Sequence, residues 1–171
     1  MKKLLIFFTL FIFACTSEVP HNMEGQLEER SGRWMKGTEW STFWYSYQWK
    51  VYNGPAFLLH KNGEQKEKGE IVNGAKSGLW SGWDEKGNLI YKGNYLDGKE
   101  DGIWKGYHSN GKAKYEGRYK NGKQINTWKY YNRKGKMTTE ELYYTCDEKC
   151  EESHFPRPCK LEGKVKRSKD F

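Results

Sequence analysis

Ala113-Lys114-Tyr115-Glu116-Gly117-Arg118-Tyr119-Lys120, followed at once by Asn121-Gly122, is the stretch that decides the fold. Ala113, Tyr115, Gly117 and Tyr119 fall on one side of a two-residue alternation, and Lys114, Glu116, Arg118 and Lys120 on the other. That period belongs to a β-strand with one packed and one solvated face. Asn-Gly then supplies two residues that tolerate positive φ, as a tight hairpin turn demands. The glycine between two tyrosines leaves a groove over which a neighbouring ring can lie.

Working outward, the same unit stands three times between Gln65 and Thr138 at a step of 24 residues. Gly69, Gly93 and Gly117 coincide, as do the turn pairs Asn73-Gly74, Asp97-Gly98 and Asn121-Gly122, then Trp80, Trp104 and Trp128, then Gly87, Gly111 and Gly135. The second strand of each unit reads Leu79 to Trp83, Ile103 to Tyr107 and Thr127 to Tyr131. Each unit is therefore expected to be a hairpin, and units of this size bury their apolar side only by stacking on their neighbours. Asn126, standing where Gly78 and Gly102 stand earlier, is a departure expected of a terminal unit. A degenerate earlier unit opens with alternation from Phe43 to Val51 and carries Ala56 and Leu59 where later units have Trp and an aromatic.

The fold class expected is all-β: an elongated single-layer antiparallel sheet of stacked 24-residue hairpins with a Cys-containing C-terminal cap. The divisions are 1–14 signal peptide, 15–38 tether, 39–144 repeat domain and 145–171 basic tail. Within the repeat domain the units run at about 45–68, 69–92, 93–116 and 117–140. The composition agrees. Aliphatic residues are scarce, but 8 Trp, 12 Tyr and 8 Phe restore the capacity to bury surface.

At the N-terminus, Met1-Lys2-Lys3 precedes an apolar run from Leu4 to Ala14 that is too short to span a bilayer stably, and Cys15 follows. Ile12-Phe13-Ala14-Cys15 resembles a bacterial lipobox. That resemblance implies cleavage before Cys15, lipidation of Cys15 and a lipid-anchored address in the bacterial cell envelope, on the periplasmic face or the cell surface. An ordinary secretory signal and an uncleaved anchor are the other readings. Thr16 to Gly37, with Pro20, Gly25 and Gly32 and no period, reads as a tether, or as a partly ordered cap in which Trp34 docks on the first strand.

The string from Asn110 through Gly117 to Lys123, with Gly102-Ile103-Trp104-Lys105-Gly106-Tyr107 before it, resembles MORN repeats, in the bacterial variant of YwqK-type, antitoxin-like proteins. The resemblance covers about Tyr45 to Tyr144. It implies protein interaction, membrane apposition and scaffolding by repeats that are not catalytic. An exported copy is poorly placed to neutralise a cytoplasmic toxin.

Two sets of side chains invite a ligand. Trp80, Trp83, Trp104, Tyr107, Trp128 and Tyr131 are candidate interaction aromatics. Trp80, Trp104 and Trp128 form either a stacking platform or the core of the sheet. From Lys112 to Lys136 nine Lys or Arg face one acid, Glu116. Lys114, Arg118, Lys120 and Lys123 are the candidate anion-binding residues, for anionic lipid, an acidic protein or an envelope polymer. The other reading is a lysine-rich edge that resists aggregation.

In the tail, Cys146, Cys150 and Cys159 are candidate disulfide cysteines, leaving one thiol over. With His154 they are also a zinc set of unfamiliar spacing. Lys160, Lys164, Lys166, Arg167 and Lys169 read as a disordered basic end, behind a tail that folds back on the open end of the ribbon. His60 and His108 read as solvated turn residues. Gly78-Leu79-Trp80-Ser81-Gly82 sets its serine one place late for a nucleophile elbow. The expectation is a non-enzymatic envelope lipoprotein without cofactor or metal, whose sheet binds an envelope protein, membrane-attached through its lipid, with anionic lipid or polymer as the alternative ligand. Nucleic acid is not expected among its partners.

Overall fold

The computed structural model describes residues 20–37, 49–145 and 163–171. Cys15 and the segment before it that reads as a signal, most of the Phe43–Val51 alternation, and Cys146, Cys150, His154 and Cys159 lie outside the described residues. In chain order the elements are β1 (His21–Asn22), a single helical turn α1 (Met23–Gln26), β2 (Glu28–Arg30), β3 (Arg33–Gly37), β4 (Trp49–Val51), β5 (Gly54–Leu59) and β6 (Gln65–Val72). Then follow β7 (Ala75–Trp83), β8 (Leu89–Leu96), β9 (Lys99–Tyr107), β10 (Ala113–Lys120), β11 (Lys123–Tyr131), β12 (Met137–Tyr143) and β13 (Val165–Asp170). Ten strands make one open sheet in the order β1-β5-β6-β7-β8-β9-β10-β11-β12-β13, while β2, β3 and β4 make a small sheet of their own. From β5 onward every neighbour is antiparallel and consecutive in the chain, and the sheet does not close into a barrel.

Two kinds of turn alternate along it. Asn73-Gly74, Asp97-Gly98 and Asn121-Gly122 hold φ values of 50 and 72°, 49 and 79°, and 50 and 79°. Positive φ at both central residues is the hairpin turn whose twist matches the strands it joins. At the other end, residues 60–64, 84–88, 108–112 and 132–136 share one five-residue turn. In each, the first N–H bonds the fifth carbonyl and the fourth N–H bonds the first carbonyl, at 2.8–3.0 Å.

A bulge also recurs. Register slips between Lys68 and Glu70, between Gly93 and Asn94 and between Glu116 and Arg118. On the facing strands Gly78, Gly102 and Asn126 take up positive φ of 64, 78 and 59°. Asn126 thus keeps the backbone of its glycine counterparts, because asparagine is among the few side-chain-bearing residues that visit this region readily. A bulge in each unit bends the strand and adds right-handed twist.

The core lies on one face. Trp80, Trp104 and Trp128 are 0, 6 and 1 % exposed. Each ring lies back over the glycine of the preceding strand: a Cβ on Gly69, Gly93 or Gly117 would come within 2.2–2.3 Å of a tryptophan ring atom. Gly82 and Gly106 accommodate Tyr91 and Tyr115 in the same way. In the next unit the size relation inverts, with Tyr130 opposite Thr139 where Gly106 is opposite Tyr115. Pairing large with small keeps the packing continuous across the change.

The chain ends modify the expected plan. The described part of the Thr16–Gly37 stretch takes the cap form: β1 pairs parallel with β5, and Met23 and Leu27 are buried with Tyr52, Ala56, Ile71 and Trp80. Trp34 packs against that cluster, and its N–H donates to the Gly74 carbonyl at 2.7 Å. The strand expected at Glu141–Tyr144 is Met137–Tyr143, because the 132–136 turn closes a further hairpin. The basic end expected to be disordered is instead β13 over Val165–Asp170, antiparallel to β12 with Glu140 opposite Lys169 and Leu142 opposite Arg167. Ladder hydrogen bonds, and the hydrogen bond from the Thr139 hydroxyl to Asp170 at 3.0 Å, hold a strand whose side chains are all exposed.

Candidate functional site

The sheet has two faces of different chemistry. On the packed face, Trp104 stacks on Tyr91 at 5.3 Å between centroids and meets Tyr95 and Tyr119 edge-on at 5.2 and 5.5 Å. Tyr119 also meets Trp128 edge-on at 4.9 Å. The indole N–H groups of Trp104 and Trp128 donate to the bulge carbonyls of Asn94 and Arg118, at 2.9 and 3.2 Å. Trp80 shares its N–H between the carbonyls of Glu70 and Ser77, at 3.1 and 3.2 Å. The three indole N–H groups of the ladder are therefore all used internally. Lys76, ion-paired to Glu67, lies 4.3 Å from the Trp80 ring centroid and covers its rim.

Phenol ionisation follows this burial. Desolvation pushes Tyr91, Tyr95 and Tyr143 well above the usual range, with Glu67, Glu100 and Tyr130 respectively as the next causes. Tyr119 is pushed up to about 12, by burial first and by Tyr115 second.

This arrangement separates the six candidate aromatics. Trp80, Trp104 and Trp128 are core, so the stacking-platform alternative does not hold for them: their faces are spent on glycine backbone and tyrosine rings. Trp83, Tyr107 and Tyr131 are half-buried. Tyr131 belongs to the opposite, outer face, where its hydroxyl donates to Glu116 at 2.8 Å.

On that outer face, residues far apart in the chain stand in rows across the strands. One row runs Lys68, Ser81, Lys92, Lys105, Glu116, Lys129, Glu140, Lys169, each opposite the next. Beside it stand Leu79, opposite Asn94, and Ile103, opposite Arg118. Leu79 and Ile103 are 51 and 54 % exposed, and Val72 and Leu96 also open to solvent at the turn end of β6 and β8.

Of the four candidate anion-binding residues, Lys114, Arg118 and Lys120 are exposed along the outward side of β10, and Lys123 is opposite Lys120 across the turn. Arg118 borders a shallow depression of about 470 Å³ with Lys105, Lys129, Glu116, Thr127 and Ile103. Cross-strand acids temper the charge of this region. Lys105 lies 3.7 Å from Glu116, and Lys129 is flanked by Glu116 and Glu140 in register. Sequence reading missed Lys68, Lys92, Lys105, Leu79 and Ile103. The 24-residue recurrence of Lys68 with Lys92 and of Leu79 with Ile103 was the available signal.

His60 and His108 are not simply solvated. Each Nε2–H donates at 2.8 Å to a carbonyl of the neighbouring hairpin, Trp83 and Tyr131 respectively. At the capped end, Arg33 donates to the Asn73 carbonyl at 3.1 Å and pairs with Asp97 at 2.5 Å. That hydrogen bond, then its charge, holds the Asp97 carboxyl below the usual carboxylate range. Among the described residues no group of three or more His, Cys, Asp or Glu is placed to hold a metal ion, and no helix is long and apolar enough to cross a membrane.

The class defined by this geometry is an open sheet of consecutive β-hairpin repeats with one aromatic and one charged face. No protein-family model matches the chain, and no curated protein matches it.

Proposed function

We propose that this chain is a non-catalytic, lipid-anchored envelope protein whose MORN-like repeat sheet serves as a protein-interaction or scaffolding module. The observation that carries the reading is the exposure of Leu79, Leu96 and Ile103 on a sheet whose other face already satisfies the core. Aliphatic side chains that the fold does not need and leaves in water lower the free energy of a complex when a partner covers them. The lipobox-like Ile12-Phe13-Ala14-Cys15 supports attachment at Cys15, which would raise the local concentration of the module at the membrane. The test is cross-linking of the chain in native membranes, comparing wild type with Cys15→Ala. A specific protein captured by wild type and lost with the anchor is the expected result. Recovery of no protein from either form overturns the reading.

A second reading, binding of anionic membrane or envelope polymer, is favoured by the exposure of Lys114, Arg118 and Lys120 on one strand with Lys123 opposite. A basic patch beside a lipid anchor adds electrostatic attraction to anionic headgroups. Changing Lys114, Arg118 and Lys120 to Glu should weaken binding to anionic vesicles, and binding should fall as salt rises. Binding unchanged by both rejects it.

A further inference from the structure

The outward positions of β6 to β9 form three stripes at right angles to the strands. The middle stripe is Lys68, Ser81, Lys92 and Lys105. Strands lie about 4.8 Å apart, which sets three cations within about 14 Å of one another. On one side of it are Leu79 and Ile103, and on the other, toward the five-residue turns, Trp83 and the exposed Ile90. The carboxylates among the outward positions of β6 to β9 are Glu70 and Asp101, both outside the middle stripe, and at its end Lys105 also lies 3.7 Å from Glu116 of β10. The pattern ends with the next unit, where Glu116 replaces Lys92 and Thr127 replaces Ile103.

We infer that this face is a docking track for an acidic polypeptide segment that lies across the strands β6 to β9, its carboxylates on Lys68, Lys92 and Lys105 and its apolar residues over Leu79, Ile103 and Ile90. The inference rests on the interaction-module reading and names the partner's chemistry. Charge complementarity selects the occupant. Covering these lysines without opposing carboxylates would strand charges away from water. A second copy presenting the same face brings lysine onto lysine. A bilayer also fits poorly, because the basic stripe lies between two apolar ones, and inserting both would carry the lysines into hydrocarbon. A polypeptide alternates acidic and apolar side chains at this scale without penalty.

The test uses the full chain with three probes: a synthetic peptide alternating Glu and Leu, poly-L-glutamate, and vesicles of phosphatidylglycerol in phosphatidylcholine. The expected result is preference for the alternating peptide. Its affinity falls at least about tenfold in Lys92→Glu with Lys105→Glu and in Leu79→Ser with Ile103→Ser, and stays within about twofold in the turn control Lys61→Glu with Lys86→Glu. Circular dichroism checks that each variant folds, and Lys92→Gln with Lys105→Gln replaces the charge reversal if it does not. Equal binding to poly-L-glutamate, indifference to the Leu79 and Ile103 changes, binding to vesicles alone, or no binding overturns the inference. Cross-linking separates its failure from that of the module reading. A membrane partner still captured by the Lys92 and Lys105 variant sinks the track and keeps the module, whereas no partner with wild type sinks the module.

Discussion

Glycine has two distinct uses in this chain, and they respond to substitution to different degrees. Gly87 has φ of +80° with nothing within 4 Å of a would-be Cβ, so only its backbone conformation is demanding. Gly93 carries no such φ, but its Cβ would sit 2.2 Å from the Trp104 ring. Gly87→Asn should therefore cost under about 1 kcal/mol, since asparagine tolerates the left-handed region. Gly93→Ala should cost about 3 kcal/mol, at the upper end of overpacking in a filled core. Urea denaturation of both variants checks this, and equal losses would refute the ring-over-glycine account. Tyrosine gives the second prediction at this scale. A phenol whose folded pKa is raised contributes stability that is fully present below its unfolded value near 10 and is lost as pH rises through the folded value. For Tyr119 the window runs from about 10 to about 12, and Tyr91, Tyr95 and Tyr143 extend it upward. Stability should fall above about pH 10 together with the rise of tyrosinate absorbance. Tyr119→Phe should make that fall shallower, and a pH profile identical to wild type would remove Tyr119 from the account. Much at this scale was legible in the sequence. The turn glycines, the glycine between tyrosines and the Trp period all announced themselves, because φ and side-chain alternation are local properties. Asn126 was not: it read as a departure from Gly78 and Gly102, yet its backbone follows theirs.

At the scale of elements, β13 and the β2–β3 hairpin are held by different means. The side chains of β13 are all exposed, and it adds a ladder, the Glu140–Lys169 register pair and the Thr139–Asp170 hydrogen bond at 3.0 Å. Deleting residues 163–171 should leave the other nine strands of the long sheet folded. Amide exchange should then rise in β12, with little change in β6 to β9, and global unfolding on this deletion would show that β13 supports the sheet. The β2–β3 hairpin, by contrast, is stitched through Trp34 to Gly74 and through Arg33 to Asn73 and Asp97, and the cap it belongs to buries Met23 and Leu27. Neither element was legible in detail. Residues 20–37 have no apolar period, and the six residues of β13 bury nothing, so the hydrophobic signal that marks a strand is missing from both.

Among the described residues the long sheet is a one-dimensional stack in which each strand pairs with its immediate neighbours. Stability of such arrays is the sum of unit terms and nearest-neighbour terms. Removing residues 93–116, one 24-residue step, joins Lys92 to Gly117 in the phase that Gly93 occupies. The shortened chain should fold cooperatively with a smaller denaturant slope, because less surface is exposed on unfolding. Removing only 93–104 should not, since it breaks the phase of Trp, Gly and turn together. If both deletions fold equally well, the stack is not organised by the repeat.

The sequence by itself determined the strands of the repeats, both kinds of turn, the side of each repeat strand that carries aromatics and the antiparallel order of those strands. These follow from alternation and turn geometry within a single unit, where nothing distant competes. Only the tertiary structure decided which rings are consumed as core and which side chains become neighbours on the outer face. Lys92 and Lys105 are 13 positions apart in the chain yet opposite one another in β8 and β9, and Lys105 belongs with Lys68 only through two intervening strands. The parallel seat of β1 on β5 and the return of β13 to β12 were decided there too. Such contacts depend on register, bulge twist and closure of long loops, and no local window of residues contains them.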